Sequence, residues 1–239
     1  MVAVRPAEPR PGTAGLLLGA ALAPIFGVAS LLRGERCVHP NGAAYDAVLT
    51  VADPASRLAY GCVLGVPGRH TAVVRLSRGL GYAPPRPDVH GLAIRLVDAG
   101  GPDRPQDLLL ISAVARGGGY RIVKTPGVGP LYSSVLPVRL GTATAHLTAV
   151  PVGEPPSDAD VLAGRAAGLR IALRGCVPGG PDVPLAELAL AQPRSAEVCE
   201  RLRFDMWNAG GDVQPVGILD AARRVVYPAS QLGRRLRGA

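Results

Sequence analysis

The chain has 239 residues, 48% of them apolar and only 4% aromatic, with a formal net charge of +8. That apolar share supports a substantial core and excludes a wholly disordered chain, while so few rings exclude a ligand platform built on aromatic stacking. Of 26 basic residues only Lys124 is a lysine, no run of five or six like charges occurs, and the densest basic stretch is 234–237, so the charge fits GC-rich coding DNA and gives no nucleic-acid footprint.

Residues 1–13, rich in Pro, Arg and Ala, predict a disordered leader. Residues 14–32 carry no charge, and as a helix they would span about 28 Å, the thickness of a bilayer core. A membrane anchor fits that length. A signal peptide fits the basic start and the small residues at 28–30. A helix docked on the domain, over 14–33, fits the interruptions at Gly15, Gly19, Pro24 and Gly27. The docked helix is preferred because the motif beginning at Arg36 follows too soon to leave a linker. A cytoplasmic location is then expected, with membrane anchoring through 14–32 as the alternative.

The remaining 34–239 reads as one domain. Extended segments are predicted over 44–52, 58–66, 71–77, 89–97, 108–114, 120–124, 138–150 and 169–177. They are punctuated by Pro84-Pro85 and by Gly117, Gly118 and Gly119. Such a series favours a closed antiparallel barrel or a sandwich. A short helix is predicted over 158–167. After residue 178 the spacing turns helical, over 184–191, over 195–202 with Ser195 as N-cap, and over 219–226 before Pro228. The four cysteines (Cys37, Cys62, Cys176, Cys199) form no CxxC pair and read as free thiols in a reducing compartment.

Three clusters carry chemistry. In the first, His39 lies between Arg36 and Gly42 at the entry of a strand, where it also reads as a loop residue held by its neighbours. In the second, Arg75 alternates with Val74 and Leu76, so if those face outward it points into the barrel. A buried arginine needs an anion, because an unpaired buried charge costs several kcal/mol. Either a carboxylate such as Asp88 or Asp107 or the carboxylate of a ligand would serve. In the third, Arg223 and Tyr227 are four residues apart, one face of a helix. A cation within about 4–6 Å lowers a neighbouring pKa by roughly 1–3 units. The resulting tyrosinate is a hard ligand suited to ferric iron. Alone, Tyr227 also reads as a surface tyrosine beside a basic face.

In their order these clusters resemble the catalase superfamily. RCVHPNGAAYDAVLTV, residues 36–51, is similar to its distal segment. VVRLS at 73–77 and DVHGLAIRL at 88–96 are similar to its next two barrel strands. RRVVYP at 223–228, with Arg234 beyond it, resembles its proximal motif. The stretch 214–235 also looks like the terminal signature of small actinobacterial catalase-like proteins. The likeness runs over 36–114 and resumes over 204–235.

The resemblance implies an α+β fold, an eight-stranded antiparallel barrel with N- and C-terminal helices and haem b at one side. It assigns His39 as distal acid/base and Tyr227 as axial ligand. Arg223 becomes the partner of the tyrosinate, and Arg36 and Arg75 become contacts for the haem propionates. Neutral histidine suits the proton transfer that peroxide cleavage needs. The implied activity is weak peroxidase or hydroperoxide decomposition, on hydrogen peroxide or an organic hydroperoxide. The chain departs from the family at three points. It is shorter than a typical catalase. Leu76 and Leu92 stand where the family has haem-flanking Phe. Gln106 or Asp107 is the nearest stand-in for its distal Asn. The alternative, from a different class, is a haem-free barrel, docked or membrane-anchored, that binds an apolar ligand or a partner protein without catalysis.

Overall fold

The computed structural model describes residues 39–52, 57–177 and 180–216, and all of these up to Pro215 lie in a compact unit spanning Val38–Pro215. The leader over 1–13, the apolar segment 14–33, Arg36, Arg223 and Tyr227 all lie outside the described residues, as does the helix expected over 219–226.

Among the described residues eleven strands occur, and the apolar faces of the long ones require a closed surface to cover them. The strands are β1 (Asn41–Val51), β2 (Gly68–Arg78), β3 (His90–Leu96), β4 (Gln106–Arg116), β5 (Gly119–Ile122), β6 (Tyr132–Ser133), β7 (Val138–Leu140), β8 (Ala143–Val152), β9 (Arg170–Cys176), β10 (Asp182–Pro193) and β11 (Val213–Pro215). Eight of them form a ring in the order β8-β6-β4-β3-β2-β1-β10-β9, and β8 pairs again with β9 to close it. Every pairing in the ring is antiparallel. β5 pairs outside the ring on β4, and β7 and β11 extend from β8. Closure leaves no edge in the ring to template aggregation. This is the eight-stranded antiparallel barrel that the sequence implies.

Inside the ring, Leu49, Val74, Leu76, Leu92, Ile94, Leu147, Ile171 and Leu188 form one apolar core with their neighbours. Burying each such side chain is worth roughly 1.5–3 kcal/mol. The sparse aromatics are used singly: Tyr45 and Tyr132 are fully buried, and the Tyr45 hydroxyl donates to the Val161 carbonyl at 2.7 Å.

Three expectations are corrected. Residues 184–191 form strand β10, not a helix. Leu185 and Leu188, three apart, mimic a helical face, but both point inward because a bulge between Pro184 and Ala186 resets the alternation. The gap between β1 and β9 requires a strand, and that pairing overrides the helical propensity of Leu, Ala and Glu. Residues 58–66 form two 3-10 turns, Arg57–Ala59 and Val63–Gly65, around Gly61 at φ +87°. Residues 138–150 are a hairpin rather than one strand, turning at Gly141 with φ +62°. Among the described residues two short α-helices occur, α1 (Asp158–Leu162) and α2 (Ala196–Arg201). The latter starts at Ser195, whose hydroxyl accepts from the Val198 N–H.

One end of the barrel interior is polar. Arg78 forms an ion pair with Asp158 of α1, and His90 Nε2 lies 2.9 Å from the same Asp158 oxygen. The His90 Nδ1 atom lies 2.9 Å from Thr125 Oγ1. The threonine hydroxyl also donates to the Gly127 carbonyl at 2.7 Å, and both ring nitrogens of His90 thus lie within hydrogen-bond distance of a polar partner. Burial, reinforced by the Arg78 charge, pushes the His90 pKa down to about 4. Unfolded, the same residue takes up a proton near pH 6.5. Between these values the unfolded chain holds the extra proton, so acidification favours unfolding. The melting temperature should fall as pH is lowered from about 6.5 towards about 4, and His90→Gln should flatten that slope, as read by calorimetry across the range.

Candidate functional site

Alternation on β2 creates the site. Val74 and Leu76 enter the core, so Arg75 and Ser77 project from the outer face, the reverse of an arginine pointing into the barrel. The entry to β1 crosses that face, and His39 takes φ 61°, a left-handed conformation that histidine adopts more readily than most residues. Its N–H donates to the Gly79 carbonyl at 2.9 Å, and its Nδ1 lies 3.0 Å from Ser77 Oγ. The structure therefore brings His39 and Arg75 together and gives the imidazole a hydroxyl partner.

Glycines form the floor beneath the ring. A Cβ on Gly91 would meet His39 Cε1 at 2.5 Å, His39 Nδ1 at 2.6 Å and Ser77 Oγ at 2.8 Å. A Cβ on Gly42 would meet the Arg75 guanidinium carbon at 2.9 Å. These two glycines, with Ser77, are site residues that motif reading quoted without assigning a role. Their signal was the Ser two positions after Arg75 and the Gly on the facing strand, both pointing outward by strand parity.

Arg75 is 4% exposed, and one terminal nitrogen donates to the His39 and Pro40 carbonyls at 3.1 and 3.3 Å. Its Nε is buried without a hydrogen-bond partner. Neither carboxylate considered for it is available. Asp107 is held bidentately by Arg95 at 2.7 and 2.6 Å. Asp88 accepts from the N–H groups of Leu80, Tyr82 and Val89 and lies 3.7 Å from Arg78. Among the described residues no carboxylate pairs with Arg75. A buried guanidinium with an orphaned N–H presents an anion site.

Beside this pair the wall is apolar. The residue opposite Gly91 on β4 is Ile111, and Leu109 is opposite Ala93. Neither residue considered as a stand-in for an amide here can act as one. Gln106 is fully buried, its amide donating to the Asp107 and Val213 carbonyls and accepting from the Gly211 and Val213 N–H groups. Asp107 is committed to Arg95 as above. Leu76 and Leu92 face each other across β2 and β3 inside the core, on the far side of the wall from His39. Leucine there changes core packing and not the surface of the site. Among the described residues no cluster of three or more His, Cys, Asp or Glu is arranged to hold a metal. The same residues hold no helix long and apolar enough to cross a membrane.

Solved structures share this architecture. A bacterial catalase matches with a TM-score of 0.55 at 14% identity, over 96% of this chain and 64% of its own. A fungal catalase matches at 0.53 and 11% identity, over 85% and 62%. Catalase A from Saccharomyces cerevisiae matches at 0.52 and 10% identity, over 97% and 67%. The fold is therefore the catalase-type barrel. This chain spans less than two thirds of the bacterial and fungal chains. No protein-family model matches the sequence, and no curated protein matches it.

Gly91→Ala tests the glycine floor. The added methyl has no space, so the variant should lose about 1–3 kcal/mol of stability, the usual cost of overpacking. It should also shift the His39 ring resonances in NMR, whereas substituting exposed Val114 should leave them in place.

Proposed function

We propose that this protein binds haem b against the outer face of β2 and β3 and decomposes hydroperoxides there. The observation that carries the reading is Arg75, a buried cation with an orphaned N–H and no carboxylate partner among the described residues, beside an imidazole seated on a glycine floor. These residues suit haem, whose propionates are the anions Arg75 requires and whose flat face needs a wall without side chains. Arg36 would join Arg75 on the propionates. Tyr227, with Arg223 as its partner, would supply an oxygen ligand to the iron. Haem, when bound, supplies the redox-active iron at which peroxide is reduced.

The residues of the chain handle the proton. In one arrangement the Ser77 hydroxyl donates to His39 Nδ1. In the other it turns its hydrogen to the Gly91 carbonyl, 3.4 Å away, and accepts from Nδ1–H. Alternation between the two lets His39 take a proton from one peroxide oxygen and return it to the departing one. Ile111 and Leu109 offer apolar contact where an amide would steer a second hydrogen peroxide. An apolar alkyl hydroperoxide is therefore the better substrate, and activity on hydrogen peroxide is weak. The relationship suggested by the terminal signature is to small actinobacterial catalase-like proteins. Free Cys62, Cys176 and Cys199 suit a reducing cytoplasm.

Titration of the purified full chain with haemin should produce the intense near-ultraviolet band of bound haem. Tyr227→Phe should abolish or shift that band, and Tyr132→Phe should not. Arg75→Leu should weaken haemin affinity about 10- to 100-fold, the scale of a lost charge-assisted hydrogen bond. His39→Ala should keep the band and cut hydroperoxide turnover roughly a hundredfold or more, the scale of a lost acid/base group. Without a haem band in the unmodified protein, the haem-free ligand- or partner-binding barrel becomes the reading.

A further inference from the structure

A second group of reactive side chains lies on the outer wall away from His39, where β8 meets β9. His146 and Cys176 are cross-strand partners, so their side chains leave the sheet on the same face about 5 Å apart at Cβ. Tyr120 reaches them from β5, the strand that lies off the ring. Its ring packs edge-on against His146 with centroids 5.1 Å apart, and its pKa is raised by burial first and then by the neighbouring Cys176, whose thiol donates to the Val177 and Gly180 carbonyls at 3.5 and 3.7 Å.

Two features separate this group from an ordinary surface patch. His146 is 6% exposed, yet its Nδ1 is buried with no hydrogen-bond partner. A buried unpaired ring nitrogen is destabilising and is seldom retained without a use. Cys176 is also the partly exposed thiol, whereas Cys62 and Cys199 are buried. Arg174 lies two residues away on the same face, with its Nε also buried and unpartnered. Asp182, itself exposed, is the cross-strand partner of Cys176 on β10 and shares its face.

We propose that Cys176 is a peroxide-reactive thiol, with His146 as its base and Tyr120 as the donor that steadies the sulfur. The thiol proton moves to His146. The Cys176 sulfur attacks the terminal oxygen of hydrogen peroxide, an S–O bond forms and the O–O bond breaks. The departing hydroxide takes the proton back from His146 and leaves as water. Sulfur loses two electrons and peroxide gains them, giving a sulfenic acid. Two equivalents of a low-molecular-weight thiol then return Cys176 to the thiol, releasing their disulfide and water. Burial suits both helpers. It lowers the His146 pKa, so the ring is neutral and able to accept a proton, and it raises that of Tyr120, so the hydroxyl keeps its hydrogen to donate. Reactive cysteines characteristically sit partly exposed beside such donors and cations. The site uses no residue of the haem reading and stands whether or not haem binds.

The test is sulfenic-acid trapping with dimedone on the folded full chain at limiting hydrogen peroxide, read by peptide mass spectrometry. Labelling should fall on Cys176 at least about tenfold faster than on Cys62 or Cys199, and a small thiol added after peroxide but before dimedone should erase it. His146→Gln should slow Cys176 labelling about tenfold or more, and Tyr120→Phe by less, as expected for a base and a supporting donor. Circular dichroism keeps misfolded variants out of the comparison. Equal labelling of the three cysteines, or an unchanged rate in folded His146→Gln, overturns the proposal.

Discussion

Everything described here depends on closure of the sheet by the pairing of β8 with β9. Once the ring closes, every residue has one of two fates. Those facing in must be apolar or fully paired, and those facing out are free to carry chemistry. Arg75 and Ser77 are outward for no other reason than that Val74 and Leu76 are inward. A one-residue slip on β2 would bury the cation in the core and strip the site of its anion-binding group.

Two arginines on adjacent outer positions show how partner supply decides a role. Arg95 lies opposite Asp107, donates to it twice and so is a structural residue. Arg75 lies opposite Ala44 and Ala93, with carbonyls alone for company. The two share charge, strand environment and face. Among the described residues, the distribution of carboxylates ties one arginine to a partner and leaves the other with none.

The barrel also divides its histidines by burial. His90 is enclosed, satisfied on both ring nitrogens and held neutral, the profile of a residue that anchors α1 to the barrel end. His39 lies on a bare glycine floor, with a hydroxyl that serves either tautomer. His146 keeps a nitrogen unpaired beside a thiol. Three environments on one sheet suit the same side chain to three different tasks.

The barrel was legible in the sequence because period-two alternation and Gly/Pro punctuation are local properties, and seven of the eight expected segments contain strands. So was the pairing of His39 with Arg75, through the order of the motifs. The identity of β10 was not legible. Its bulge breaks the alternation, and its strand state comes from the open flanks of β1 and β9, which no local window contains. Nor was the fate of Asp88 and Asp107, since which carboxylate meets which arginine is set by register between strands. The floor under His39 and the meeting of Tyr120, His146 and Cys176 likewise arise only when segments distant in the chain are laid side by side. Composition and spacing determine which face each residue takes, and closure of the ring determines what it finds there.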